Sequence, residues 1–171
     1  MQEMEDGICV RRVVPEDAAQ ISEIYNYYIE ETTVSFEVDP ISVEAMRNRI
    51  ASISERFPYF VAECGGMIVG YCYAHEWKER PAYSLTFENT VYLRRDAVAH
   101  GVGARLMRAL INACREMGCH ALIACITTEN EGSRRFHESL GFREVSHFRE
   151  VGYKLGRYLD VTDMELLIED R

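Results

Sequence analysis

The chain has 171 residues, 47% of them hydrophobic, and a formal net charge of −9 at neutral pH. That length suits one well-buried core, so residues 1–171 are expected to form a single domain. No run approaches the length of a membrane-spanning helix, and the negative charge argues against general binding to nucleic acid or to an anionic membrane. The acidic start, Met1-Gln2-Glu3-Met4-Glu5-Asp6, is the opposite of a secretory signal's basic start, and a cytoplasmic location is expected. Six cysteines (Cys9, Cys64, Cys72, Cys114, Cys119, Cys125) contain no Cys-x-x-Cys pair and read as buried free thiols. No ligand spacing links them to His75, His100, His120 or His147, so no metal is expected.

Ile8 to Val14 predicts a first strand. Pro15-Glu16-Asp17 then opens a helix, with proline in the tolerated first turn and two acids at the positive end of the dipole. Ile21, Ile24, Tyr25 and Tyr28 recur at helical spacing and give that helix one apolar face. Val43, Met46, Ile50 and Ile53 mark a second helix that stops before Pro58. Tyr59 to Cys64 and Met67 to Ala74, joined by Gly65-Gly66, predict a hairpin. His75 to Tyr83 reads as a loop leading into a central strand, Leu85 to Leu93.

A third helix is expected from about Gly101 to Met117, with Val102, Leu106, Leu110 and Cys114 at every fourth position and Gly118 as its cap. Ala121 to Thr127 reads as a buried strand, and Glu131 to Leu140 as a fourth helix ended by Gly141. Phe142 to Val151 and Tyr158 to Ile168 form two last strands around a turn containing Lys154-Leu155-Gly156. No internal repeat or linker interrupts this order, and the fold class is α+β (mixed α/β).

Two places in this order carry chemistry. Gly101-x-Gly103 opens the third helix straight after a strand and a short polar turn, leaving backbone N–H groups uncovered at the positive end of the dipole. Such a corner can cradle a phosphate, although a glycine pair there is more often a packing device. Residues 76–115 hold seven basic and four acidic side chains, a positive region in an acidic chain, which suits an anionic ligand. Glu88 stands on the strand just upstream of the turn. On the fourth helix, Asn130, Ser133 and His137 share one stripe at i, i+3 and i+7, beside an apolar stripe of Phe136 and Leu140. Read from the residues alone, that polar stripe faces water.

These pieces in this order resemble the GNAT superfamily of acyl-CoA N-acetyltransferases, and the likeness runs from Ile8 to Ile168. The strand, the turn and Gly101-x-Gly103 resemble the family's pyrophosphate-binding motif. Asn130-x-x-Ser133-x-x-Phe136-His137-Glu138-x-Leu140-Gly141-Phe142 resembles its second cofactor-contacting motif. Four further stretches are similar to the phosphinothricin and methionine sulfoximine acetyltransferases: Tyr28-Ile29-Glu30-x-x-Thr33-Val34-x-Phe36, Trp77-Lys78-x-Arg80-x-Ala82-Tyr83, Glu88-x-Thr90-Val91-Tyr92, and Gly152-Tyr153-Lys154-x-Gly156-x-x-x-Asp160-Val161. One position departs. Val98 stands three residues before the first glycine, where the family usually has Gln or Arg; Arg94, Arg95 and Arg105 are the neighbours able to compensate.

The resemblance implies a central, twisted, mostly antiparallel sheet of about seven strands flanked by about four helices. It implies acetyl-CoA as co-substrate, a small amino-acid-like acceptor and a homodimer. It places the pantetheine arm along Val91, Tyr92 and Leu93, the pyrophosphate on Ala99, His100, Gly101, Val102, Gly103 and Ala104, and further cofactor contacts at Asn130 and Ser133. Lys78 and Arg80 become anion clamps for the acceptor, with Phe36 and Tyr83 as pocket walls. Glu88 is the expected general base, because an α-amine is mostly protonated at neutral pH and must lose that proton before attack. His137 is the second catalytic candidate, as acid or base. The expected reaction is direct acetyl transfer to the α-amine of a phosphinothricin, methionine sulfoximine or methionine sulfone type of molecule. A different amine acceptor, or a non-catalytic acyl-CoA sensor, remain the alternatives.

Overall fold

The computed structural model describes residues 7–98 and 100–168. Seven strands form one sheet in the order β1-β2-β3-β4-β5-β7-β6. They are β1 (Ile8–Arg12), β2 (Tyr59–Cys64), β3 (Met67–Glu76), β4 (Thr86–Leu93), β5 (Ala121–Thr127), β6 (Arg143–Lys154) and β7 (Arg157–Leu167). Every neighbouring pair is antiparallel except β4 and β5, which run parallel. Four helices accompany them: α1 (Ala18–Glu31), α2 (Val43–Ser54), α3 (Val102–Glu116) and α4 (Glu131–Ser139). No described helix is long and apolar enough to cross a membrane.

Strand register sorts the side chains into two layers. Tyr73, His75, Glu88, Thr90 and Tyr92 share one face, because successive residues of a strand point to opposite sides. Further along that face Tyr59, Val61 and Tyr71 pack with Ile21, Ile29, Met46 and Ile50 of α1 and α2. The opposite face presents Ala62, Cys72, Ala74, Leu122, Ala124 and Met164 to Val102, Leu106, Leu110 and Cys114 of α3. The four-residue spacing read in α3 is therefore its buried stripe.

Several boundaries differ from the sequence reading. The first strand ends at Arg12 rather than Val14, because the Val14 N–H donates to the Asp17 carboxylate at 2.9 Å and Pro15–Asp17 close a short 3-10 turn before α1. β3 runs on to Glu76, so His75 belongs to a strand and not to a loop. Its polarity disguised it. β6 extends to Lys154, bent by a register shift between Phe148 and Gly152, with Glu150 at φ 55. The Gly65-Gly66 turn holds as read, with both residues at positive φ. The cysteines are free, but three of them are not buried: Cys9 lies on the edge strand β1, Cys64 is half-buried at the end of β2, and Cys125 opens into the cleft described next.

Candidate active site

β4 and β5 pair only from Thr86 opposite Ala121 to Glu88 opposite Ile123. Beyond that point they part. The far end of β4 finds a substitute partner, since the Tyr28 hydroxyl of α1 donates to the Leu93 carbonyl at 2.6 Å. The gap is a cleft of about 370 Å³. β4 contributes Glu88, Asn89, Thr90, Val91 and Tyr92, and β5 contributes Ala124 to Thr127. Asn130, Ser133 and His137 of α4 close one side; Val34 to Glu37, with Tyr25 and Tyr73, close the other.

Glu88 sits half-buried where the strands separate. Burial pushes its carboxyl above the ordinary range; His75 opposes that, and Asp163 reinforces it. The His75 Nε2 lies 3.7 Å from Glu88 Oε1, and its Nδ1 lies 2.9 Å from the Glu76 carbonyl. A carbonyl only accepts, so Nδ1 carries the hydrogen.

His137 is buried rather than on a solvated face, with 2% of its surface exposed. Its Nδ1 donates to the Ser133 carbonyl at 2.8 Å, which fixes the tautomer. Nε2 must then accept, and the Asn89 amide Nδ2 donates to it at 3.1 Å. Burial holds the imidazole's pKa below its usual value, against the opposing effect of the Ser133 bond. Both nitrogens of a neutral ring are thus committed within the protein. Asn89 is itself buried, and its Oδ1 has no hydrogen-bond partner among the described residues. Sequence reasoning passed over Asn89: its partner lies 48 residues away and no local pattern marks it.

The stripe read on α4 is assembled around a cap. The Asn130 Oδ1 accepts from the Ser133 N–H at 3.1 Å and starts the helix. At the head of α3, Gly101 is the N-cap in the left-handed region (φ 73), a conformation that favours glycine, and the space where its Cβ would point is open. The first N–H groups of α3 have no partner within the helix. Gly103 serves packing instead. A Cβ there would lie 3.2 Å from the Phe136 ring, so its small size lets α3 and α4 approach. The Val102 side chain is core, leaving its backbone for any ligand. His100 and Ala104 flank the same turn, and Ala99 lies outside the described residues. Arg94 is paired with Asp96 at 2.8 Å, Arg95 lies over the Tyr27 ring at 5.0 Å, and Arg105 reaches the Ile8 carbonyl at 3.3 Å.

The structure brings Glu88, His137, Val91, Tyr92, Asn130, Ser133 and Phe36 to one cleft. Leu93 stands just past its end. The Tyr92 ring packs with Tyr25, Tyr28 and Tyr71 and stands half-buried in the cleft wall. Lys78, Arg80 and Tyr83 do not line the cleft. They belong to the segment after β3, where Lys78 Nζ lies 3.9 Å from the Trp77 ring centre and Trp77 meets Tyr83 edge-on at 5.2 Å.

A family model for the acetyltransferase (GNAT) domain matches residues 10–162. The chain belongs to the GNAT acetyltransferase family. A phosphinothricin N-acetyltransferase of Streptomyces coelicolor is 36% identical over 156 residues, covering 89% of this chain and 91% of that one. An L-methionine sulfoximine/L-methionine sulfone acetyltransferase of Salmonella typhimurium is 32% identical over 158 residues, covering 90% and 91%. A GNAT superfamily phosphinothricin acetyltransferase from Sinorhizobium meliloti, solved in complex with acetyl-CoA, superposes with a TM-score of 0.90 at 31% identity, covering 94% of this chain and 88% of that one. This GNAT chain is an acetyl-CoA-dependent acetyltransferase, and among the described residues no cluster of His, Cys, Asp and Glu could hold a metal ion. Its own features fit that co-substrate: an open glycine corner at a helix N-terminus, and a β4 edge without a strand partner beyond Glu88.

Proposed function

We propose that this GNAT enzyme acetylates the α-amine of a small amino-acid analogue of the phosphinothricin or methionine sulfoximine type, by direct transfer in a ternary complex. The observation that carries the reading is the position of Glu88 at the point where β4 and β5 separate. Acetyl-CoA supplies the activated acyl thioester; the chain's own groups do the rest. The α3 corner at His100 to Ala104, with Ala99, binds the diphosphate through backbone N–H groups. The unpaired edge of β4, from Val91 to Leu93, hydrogen-bonds the pantetheine arm as an added strand would. Asn130 and Ser133 contact it from α4.

The amine enters from the α1–α2 side, the face that Glu88 shares with Thr90 and Tyr92. Glu88, ionised, takes the proton that leaves the nitrogen, directly or through one water. Its raised pKa brings it nearer the operating pH, where a base works best. Cys125 also opens into the cleft, but desolvation there, reinforced by Glu88 and Asp163 as neighbouring anions, pushes its thiol up to about 12. Such a thiol is a poor acyl carrier at neutral pH, which favours direct transfer. Phe36 walls the acceptor side, resting on Gly152. Lys78, Arg80 and Tyr83 receive the acceptor's anionic end outside the cleft proper.

The single 171-residue domain works as a cytoplasmic homodimer in this reading. Phe148, Val151, Tyr153, Leu155 and Tyr158 expose an apolar surface on the β6–β7 hairpin, the kind of patch that marks an interface. A thiol-release assay across amino-acid analogues, polyamines and an aminoglycoside tests the acceptor class. Activity confined to α-amino acids with a tetrahedral polar head supports the reading; release only with cationic amines, or none with any amine, overturns it.

A further inference from the structure

We propose that Lys154 is a positioning residue for the acceptor site: its ammonium fixes the Ser35–Phe36 peptide and thereby sets where the Phe36 ring stands. The inference rests on the reading that Phe36 walls the acceptor side of the cleft. It gives a use to the Gly152-Tyr153-Lys154 stretch, which the transfer step does not employ. In the sequence Lys154 reads as part of a turn, where a lysine is ordinarily solvated. In the structure it ends β6 with 5% of its surface exposed.

Lysine is seldom buried to that extent without an acidic partner. Among the described residues Lys154 forms no ion pair, and Glu37, already paired with Arg49 at 2.8 Å, acts on it only from a distance. Its Nζ donates to two carbonyls instead, that of Ser35 and, at 3.5 Å, that of Tyr28 in the last turn of α1. A cation suits the second place, because the carbonyls that end a helix carry partial negative charge. The first place matters more. Ser35 is buried, yet it lies in a segment outside any strand, so no sheet ladder supplies a donor to its carbonyl. The ammonium does. An aliphatic side chain would fill the same space without burying a charge; what lysine adds is a directed donor.

The peptide group is planar, so holding the Ser35 oxygen also holds the plane from which the Phe36 Cα departs. Two residues back along β6, on the same face as Lys154, Gly152 receives the Phe36 ring, and a Cβ there would collide with it. Gly152 and Lys154 are buried and Tyr153 between them is exposed, the alternation expected of one strand face. The end of β6 is thus a two-point seat, one point for the backbone before Phe36 and one for its ring. The neighbouring ties act elsewhere on the segment: the Thr127 hydroxyl donates to the Thr33 carbonyl at 2.7 Å, and the Tyr25 and Ser35 hydroxyls meet at 2.9 Å.

The experiment is a double-mutant cycle read by steady-state kinetics with L-methionine sulfone and acetyl-CoA. Lys154→Met keeps the length of the side chain and loses the donor; it should raise the KM for the amino acid about 10-fold and leave the KM for acetyl-CoA unchanged. Phe36→Ala should raise the same KM, and Lys154→Met should add little on top of it, because the lysine acts through that ring. The amide nitrogen shift of Phe36 should move in Lys154→Met, with that of Gly101 unmoved. Fully additive losses in the double variant overturn the proposal, as do an unmoved Phe36 shift, an unchanged acceptor KM, or an equal rise in both KM values. The two levels separate cleanly. If Phe36→Ala leaves the acceptor KM unchanged, the reading of Phe36 as acceptor wall fails; if it raises that KM while Lys154→Met does not, only the Lys154 assignment fails. Should Lys154→Met not fold, Lys154→Gln, which keeps an N–H donor one atom nearer the backbone, decides in the same cycle.

Discussion

His75 and Glu88 stand directly across from each other on β3 and β4, with the imidazole Nε2 3.7 Å from the carboxylate. Asp163, on β7, acts on the same carboxylate with the opposite sign. The pair gives a directional prediction. The acid limb of kcat/KM, which reports ionisation of the base in free enzyme, should move to higher pH in His75→Ala and to lower pH in Asp163→Asn. A pH–rate series on the two variants checks it; shifts of the same sign would remove Glu88 from the role.

Glu88 also bears on stability. Its folded pKa lies above its unfolded value, so the unfolded chain ionises first as pH rises. Stability is therefore lost between the unfolded pKa and the folded one, with a slope of up to about 1.4 kcal/mol per pH unit. Glu88→Gln, which cannot ionise, should melt higher than wild type at pH 7 and match it below about pH 4. Turnover in Glu88→Gln and Glu88→Ala should fall by roughly 10²–10⁴-fold while acetyl-CoA affinity holds. Calorimetry beside the release assay measures both.

Gly152 tests the acceptor wall. A Cβ there would collide with the Phe36 ring, so Gly152→Ala must displace Phe36 and the segment after α1. Overpacking of this kind costs about 1–3 kcal/mol. The KM for the acceptor should rise, with acetyl-CoA binding unchanged. A rise in the donor KM instead would place Phe36 on the wrong substrate.

Gly101→Ala tests the α3 corner. The residue holds φ 73, and alanine there should cost about 1 kcal/mol in stability through backbone strain. Its methyl would also intrude on the mouth of the helix. Affinity for 3′,5′-ADP, a probe lacking the pantetheine arm, should fall, as read by calorimetry.

Arg80→Ala and Lys78→Ala test whether residues outside the cleft hold the acceptor's anionic end. The expected outcome is a higher KM for acidic acceptors and no change in the donor KM, read by steady-state kinetics. Unchanged kinetics in both would move carboxylate recognition into the cleft wall.

Much of this was legible in order and period. The four-residue rhythm of Val102, Leu106, Leu110 and Cys114 marked α3 and its buried stripe, and the Asn130, Ser133 and His137 spacing marked three residues that line one cleft. What stayed hidden was polar and non-local. His75 and Glu76 read as loop because nothing apolar alternates there, yet they complete β3 opposite Glu88 and Phe87. His137 read as a surface residue because its burial depends on Asn89 and Phe142, which meet it only in the folded chain. Lys78 and Arg80 were drawn to the site by resemblance, and their charges carry no address that places them inside it.

The short parallel pairing of β4 with β5 has a thermodynamic side. Main-chain groups from Asn89 onward lack a strand neighbour on the β5 side, so folding alone cannot complete this sheet. A guest that lies along that edge finishes the ladder, and its binding energy is then partly folding energy. The empty enzyme should consequently exchange the β4 amide hydrogens directed toward β5 with solvent readily, and the loaded one slowly, as though the acyl donor were an eighth, removable strand of the architecture.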